Sequence, residues 1–137
     1  MNAFQTKVQR DLQFQQVYMQ MAVAVASLSY CTKRQVGAII VQGRNIAGYG
    51  FNGSVSGTPN VCEDDGGQGK DVHAETNAVL KAGHACKGAD MFVTVYPCEP
   101  CARLMAQAGI HRVFYLEDHN NVGQVDLYGM HAIKMKL

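Results

Sequence analysis

The sequence predicts an α/β fold in three layers, α/β/α: one mixed sheet with helices on both faces, in a single domain over residues 1–137. Three observations predict it. Hydrophobic residues make up 47% of the chain and charged ones only 17%, enough apolar material for a core and too little charge for extended disorder. Segments with helical and with strand periodicity alternate. The last three of four predicted strands are joined through helices, the connection that gives parallel strands.

Residues 10–29 read as a helix, because Val17, Met21, Ala24, Val25 and Leu28 recur at spacings of three and four and form one apolar face. The stretch VGAIIVQGRNIAGYGFNG, 36–53, reads as two antiparallel strands about a turn at 42–45. Residues 52–72 are rich in Gly, Ser, Asp and Asn and form a loop of about twenty residues, a length that in a compact domain marks function or disorder. Ala74, Ala78, Val79 and Ala82 mark a helix from 72 to a C-cap at Gly83. MFVTVY, 91–96, is a short buried strand. Residues 98–108 form a third helix that tolerates Pro100 in its first turn. HRVFYLE, 111–117, is a fourth strand. The tail, 122–137, carries two short apolar runs, 125–127 and 132–137, that the pattern leaves unassigned.

The net charge is +1 with no basic run, which argues against a large nucleic-acid partner and for a small molecule. The polar start of the chain is no signal peptide. The most apolar stretch, 17–28, is interrupted by Gln20 and is too short to cross a bilayer. A cytoplasmic protein without membrane contact is the expectation. In a reducing compartment, five cysteines are more often metal ligands, catalytic groups or buried thiols than disulfides.

Two of those cysteines carry the chemistry. In VYPCEPC, 95–101, Cys98 and Cys101 lie three apart at a strand-to-helix junction, on one side of a first helical turn. Free backbone N–H groups there stabilise thiolates, which suits a redox pair or a metal site. A zinc site needs a further ligand, usually His, and His73 opens the preceding helix. Three protein ligands leave one tetrahedral position open, the arrangement of a catalytic zinc. Glu75, two residues on, points away from that ligand line and can move protons for a substrate.

HAE at 73–75 followed by PCEPC at 97–101 resembles the zinc-dependent nucleoside and nucleotide deaminase superfamily, whose signature is H-x-E…P-C-x-x-C. The resemblance extends over nearly the whole chain and implies the cytidine deaminase-like fold. CTKRQVGAIIV (31–41), GFNGSVSGTPNVC (50–62), HAETNAVLKAG (73–83) and PCEPCARLMAQAGIHRVFY (97–115) resemble deoxycytidylate (dCMP) deaminases in particular. tRNA adenosine deaminases more often carry Leu-Glu before the Pro-Cys, where this chain has Val-Tyr. The chain departs from the pattern at Lys33 and Arg34, where an acidic residue is common, at Phe51 in place of Tyr, and in the displaced proline of TPNVC.

The resemblance implies Zn²⁺ on His73, Cys98 and Cys101, with hydroxide attacking C4 of cytosine and Glu75 protonating N3 and the departing ammonia. The product, dUMP, would feed dTMP synthesis. Asn52 would hold the sugar hydroxyl, and the backbone N–H groups of Ala74 and Cys98 the base edge. Lys33 and Arg34 are the nearest candidates for the phosphate, and Tyr115 would pack on the base or reach the phosphate. The resemblance also implies a homo-oligomer, often a hexamer. It further implies control by dCTP with Mg²⁺ and by dTTP near the 52–72 loop, where Gly53, Asp64 and Asp65 lie. The alternative is deamination of another nucleoside or of tRNA adenosine. Cys31, Cys62 and Cys86 read as buried or free thiols, with Cys62, Cys86 and His84 weighed as a second, structural zinc site.

Overall fold

The computed structural model describes residues 5–32, 34–60, 62, 71–118 and 125–137. Helix α1 spans Lys7–Ala26, and a hairpin follows, β1 (Gly37–Gln42) and β2 (Asn45–Phe51). Helix α2 (Ala74–Ala82) runs into a 3-10 turn at Gly83–Cys86. Strand β3 (Asp90–Val95), helix α3 (Glu99–Ala108), β4 (Arg112–Glu117) and β5 (His131–Lys134) complete the order.

The sheet runs β2-β1-β3-β4-β5. β1 pairs antiparallel with β2 and with β3, whereas β3–β4 and β4–β5 are parallel. β2, β3 and β4 therefore point the same way, as expected, but β1 is inserted between β2 and β3. The hairpin turns where the sequence places it, with Gln42 opposite Asn45. β5 was not legible in the tail. All four of its residues are exposed, so no alternating pattern marks it, and only its pairing with 112–115 defines it.

Side chains alternate across β1, which feeds two cores. Ile39 and Val41 join Phe92 and Phe114, whose rings stack at 4.4 Å, under Tyr18, Met19 and Ala22 of α1. Ala38 and Ile40 join Met91, Val93 and Val113 under Ala74 and Ala78 of α2 and Ala102 and Met105 of α3. Helices thus cover both faces of a mixed sheet, the three-layer arrangement expected.

The α1 face differs from the expected one. Val17, Met21 and Leu28 are exposed, and the buried stripe is Tyr18, Met19, Ala22 and Ala26. The reason is proximity. A Cβ on Gly37 would stand 2.0 Å from the Ala22 carbonyl oxygen, so where the helix crosses Gly37 it presents the small residues Ala22 and Ala26. The helix also starts earlier, because Thr6 and Gln9 form a reciprocal capping box.

Cys31 and Cys62 are joined by a disulfide, and Cys86 is buried as a free thiol. The reading of Cys31 and Cys62 as thiols is corrected accordingly. The second zinc site is corrected too, since Cys62 is committed to Cys31 and no metal-binding group with Cys86 and His84 occurs among the described residues. Among the described residues, no helix is long and apolar enough to cross a membrane.

Helix α2 lies on β2 with no room between them. A Cβ on Gly50 would meet the Ala74 carbonyl oxygen at 2.3 Å and the Ala78 nitrogen at 2.6 Å. Gly50→Ala should therefore lift the start of α2 and cost about 2 kcal/mol or more in thermal unfolding. It should also lower bound zinc by metal analysis, because His73 precedes that first turn.

Candidate active site

Helices α2 and α3 both start at the carboxyl ends of strands that run in the same direction, β2 and β3. Ligands of open α/β sheets bind there. Beyond β2 the chain makes one further bridge: Val72 N–H donates to the Gly53 carbonyl at 2.6 Å, and Gly53 N–H to the Val72 carbonyl at 3.0 Å. Gly53 and Val72 point to one side of that bridge, so Asn52, Asp71 and His73 point to the other.

His73 is the N-cap of α2, in extended backbone, and its side chain makes no capping bond. It turns toward the N-cap of α3, Cys98, and toward Cys101 one turn on. His73 Nδ1 lies 3.2 Å from Cys101 Sγ and 3.5 Å from Cys98 Sγ. Zinc bonds of about 2.0 Å to nitrogen and 2.3 Å to sulfur, at tetrahedral angles, separate such donors by about 3.5 Å. The donor set thus fits zinc in both chemistry and spacing, with a fourth position for water or substrate. It is the one group of three or more metal-binding side chains among the described residues.

The protonation of the metal-free group follows from its contacts. The hydrogen bond from Cys101 pulls the Cys98 thiol down, and the same bond together with burial pushes Cys101 up, so Cys101 keeps the proton. The hydrogen bond to Cys98 raises His73 to about 9. Glu75, in the first turn of α2, is 5% exposed. Burial raises its carboxyl to about 7.

His73, Glu75 and Cys98 line a cavity of about 150 Å³ together with Arg34, Val36, Asn52, Asp71, Ala74, Val95 and Tyr96. That is the size of an engineered cavity that takes up one benzene ring, and it suits a single pyrimidine. Val36, Val95 and Tyr96 supply apolar walls, Glu75 and the His–Cys group the inner end, and Arg34, Asn52 and Asp71 the polar rest.

The structure places the expected residues unevenly. His73, Ala74, Glu75, Cys98, Asn52 and Arg34 line the cavity, and Cys101 stands behind it in the His–Cys group. Asn52 is also a structural clamp: its Oδ1 accepts from Val36 N–H at 2.8 Å, its Nδ2 donates to the Arg34 carbonyl at 3.0 Å, and Ser29 Oγ donates to its own carbonyl. Tyr115 is not on the cavity wall. It is buried behind it, edge-on to Tyr96 with ring centres 4.8 Å apart. Gly53 lines a different hollow beside Tyr30 and Ser54. Lys33, Asp64 and Asp65 lie outside the described residues.

Sequence reasoning missed Asp71, Val36, Val95 and Tyr96. A period-of-two reading was available for two of them: Asp71 is two before His73 in an extended run, and Tyr96 two before Cys98.

The family described as the cytidine and deoxycytidylate deaminase zinc-binding region matches residues 12–117. The chain belongs to this family. It is 36% identical to ComE operon protein 2 of Bacillus subtilis over 117 residues, covering 79% of this chain and 61% of that protein. It is 35% identical to human deoxycytidylate deaminase over 122 residues, 78% of this chain and 66% of that one. The chain thus spans somewhat under two thirds of the length of these relatives. The crystal structure of dCMP deaminase from the cyanophage S-TIM5 in complex with dCMP and dUMP superposes with a TM-score of 0.80 at 31% identity, covering 90% of this chain and 97% of that chain. The fold of this chain is the cytidine deaminase-like fold of those structures, and its cofactor is Zn²⁺.

A proton count tests the ligand set. At pH 7.5 the metal-free protein carries one proton on the His73 imidazole above neutral and one on Cys101, whereas Cys98 is already a thiolate. Zinc loading should release about two protons at this pH, and apparent affinity should fall about a hundredfold for each unit the pH drops below it. Above pH 9 the His73 proton is already gone, and release should fall to about one. Calorimetry in buffers of different ionisation enthalpy reads these numbers.

Proposed function

We propose that the chain is a dCMP deaminase that hydrolyses dCMP to dUMP and ammonia. The buried carboxylate of Glu75, set in a pyrimidine-sized cavity beside the His73–Cys98–Cys101 group, carries this reading. The similarity to deoxycytidylate deaminases supports the choice of substrate.

His73, Cys98 and Cys101 would hold zinc. When bound, Zn²⁺ supplies a Lewis acid that makes water acidic enough to serve as a nucleophile near neutral pH. Glu75 takes one proton from the attacking water and passes it to N3 of the cytosine; it then takes the second proton from the hydroxyl now bonded to C4 and gives it to the leaving amine, so that the C4 carbonyl forms as ammonia departs. Burial favours the protonated carboxyl and brings its pKa to about 7, where an acid that must both accept and donate works best. The backbone N–H groups of Ala74 and Cys98, in the unpaired first turns of α2 and α3, face the base edge. Val36, Val95 and Tyr96 exclude water around the ring, and Tyr115 holds Tyr96 from behind. Asn52 retains one amide hydrogen beyond its clamp and offers it to the sugar hydroxyl. Arg34, with Lys33, supplies cationic donors for the phosphate.

The same proposal includes a homo-oligomer, the hexamer of the resemblance, in keeping with exposed Val17 and Met21 on α1, Leu28 just after it and Leu80 on α2. It includes a cytoplasmic protein whose product feeds dTMP synthesis. Control by dCTP with Mg²⁺ and by dTTP near Gly53, Asp64 and Asp65 rests on resemblance alone.

Zinc-loaded protein should convert dCMP to dUMP and ammonia. Glu75→Gln should keep its zinc and lose about a thousandfold in kcat. Turnover of tRNA adenosine or of cytidine, with dCMP untouched in the presence and absence of dCTP–Mg²⁺, would overturn the reading.

A further inference from the structure

We infer that Asp71 is a substrate-positioning residue whose carboxylate accepts a hydrogen bond from the sugar 3′-hydroxyl of the nucleotide. This rests on the deaminase reading of the cavity and adds to it the group that recognises the sugar.

Asp71 lines the cavity, on the same side of the Gly53–Val72 bridge as His73 and Asn52. Its Oδ1 is buried and has no hydrogen-bond partner among the described residues. A buried carboxylate oxygen left unpaired is costly, and such groups in native proteins point to a donor that arrives from outside the chain.

The rest of the cavity says which donor. The zinc group, Glu75 and the helix N-termini occupy the end that meets the exocyclic amine and N3. Val36, Val95 and Tyr96 pack the ring, and the rest of the open cavity is left to the sugar. The sugar must then meet the polar residues that remain, Arg34, Asn52 and Asp71. A guanidinium only donates hydrogen bonds. The Asn52 amide already accepts from Val36 and donates once to Arg34, which leaves mainly a second N–H to give. The carboxylate of Asp71 only accepts. A hydroxyl needs one of each: it accepts from Asn52 and donates to Asp71. The 3′-hydroxyl is the one free sugar hydroxyl of a 2′-deoxynucleotide, and a carboxylate is the acceptor that such a hydrogen pairs with most strongly.

Asp71 could act instead on His73, two residues away, as the carboxylate that orients a metal-binding imidazole. That role is independent of the sugar hydroxyl, so a cycle that changes residue and substrate together separates the two. The measurement is kcat/KM of zinc-loaded wild type, Asp71→Ala and the near-isosteric Asp71→Asn on dCMP and on 2′,3′-dideoxy-CMP, with zinc content determined for each. Wild type should prefer dCMP by about 30-fold or more, in the range of a hydrogen bond to a charged group. Both variants should lose most of that factor on dCMP, change little on the dideoxy substrate, and show a preference below about fivefold, in the range of the neutral bond left to Asn52. A variant that keeps the wild-type preference overturns the inference, and lost zinc with that preference intact assigns Asp71 to His73. Wild type that turns over dCMP while the variants keep its preference refutes only the role of Asp71. Wild type inactive on dCMP refutes the deaminase reading itself.

Discussion

The contact between α2 and the hairpin governs the site. The backbone of α2 lies directly on β2, where added Cβ atoms at Gly48 and Gly50 would stand 2.7 Å and 2.3 Å from carbonyl oxygens of the helix. Only glycine allows that approach, and the alanines at 74, 78 and 82 serve it from the helix side. The approach sets how far the first turn of α2 lies from α3, whose start is fixed by β3 and by Pro100 at its second position. His73 is therefore within 3.5 Å of both Cys98 and Cys101, although 25 residues separate it from the nearer one. The zinc group is a consequence of two backbone surfaces in contact.

Electrostatics explains why so polar a centre can be buried. An imidazole, two sulfurs and a carboxylate share a small volume next to an apolar core. Unpaired charges there would cost several kcal/mol each. In the metal-free protein the cost is contained by pairing: one proton is held between the sulfurs, one stays on His73, and burial favours a neutral Glu75. Zinc replaces those two protons with one divalent charge, which is why metal uptake and proton release are the same event.

The wall opposite the zinc end is built with equal economy. Asn52 ties the segment at 34–36 to the end of β2 through two side-chain hydrogen bonds, and Ser29 holds its backbone. Cys31 and Cys62 join the segment before β1 to the segment after β2 by a covalent bond. Arg34, Val36 and Asn52 thus reach the cavity from a braced frame. The same tightness acts on the other face of the sheet. There α1 presents Ala22 and Ala26 to Gly37 and leaves Val17 and Met21 on the outside.

Local chemistry is written in the sequence, because it depends on residues close together in the chain. The helices and the first four strands, the hairpin turn, the Gly83 cap and the tolerance of Pro100 follow from short-range pattern, and so does the His-x-Glu and Pro-Cys-x-x-Cys signature. Distances between segments are decided elsewhere. The insertion of β1 between β2 and β3 and the patternless edge strand β5 depend on pairing between distant residues. The alanine face of α1 depends on the closeness of the sheet. The retreat of Tyr115 behind Tyr96 and the orphaned carboxylate oxygen of Asp71 depend on how side chains fill space once the layers are packed. The sequence alone determined which atoms could bind zinc and move a proton; the tertiary structure decided which of the remaining polar groups face the substrate, because only packing reveals what each of them already holds.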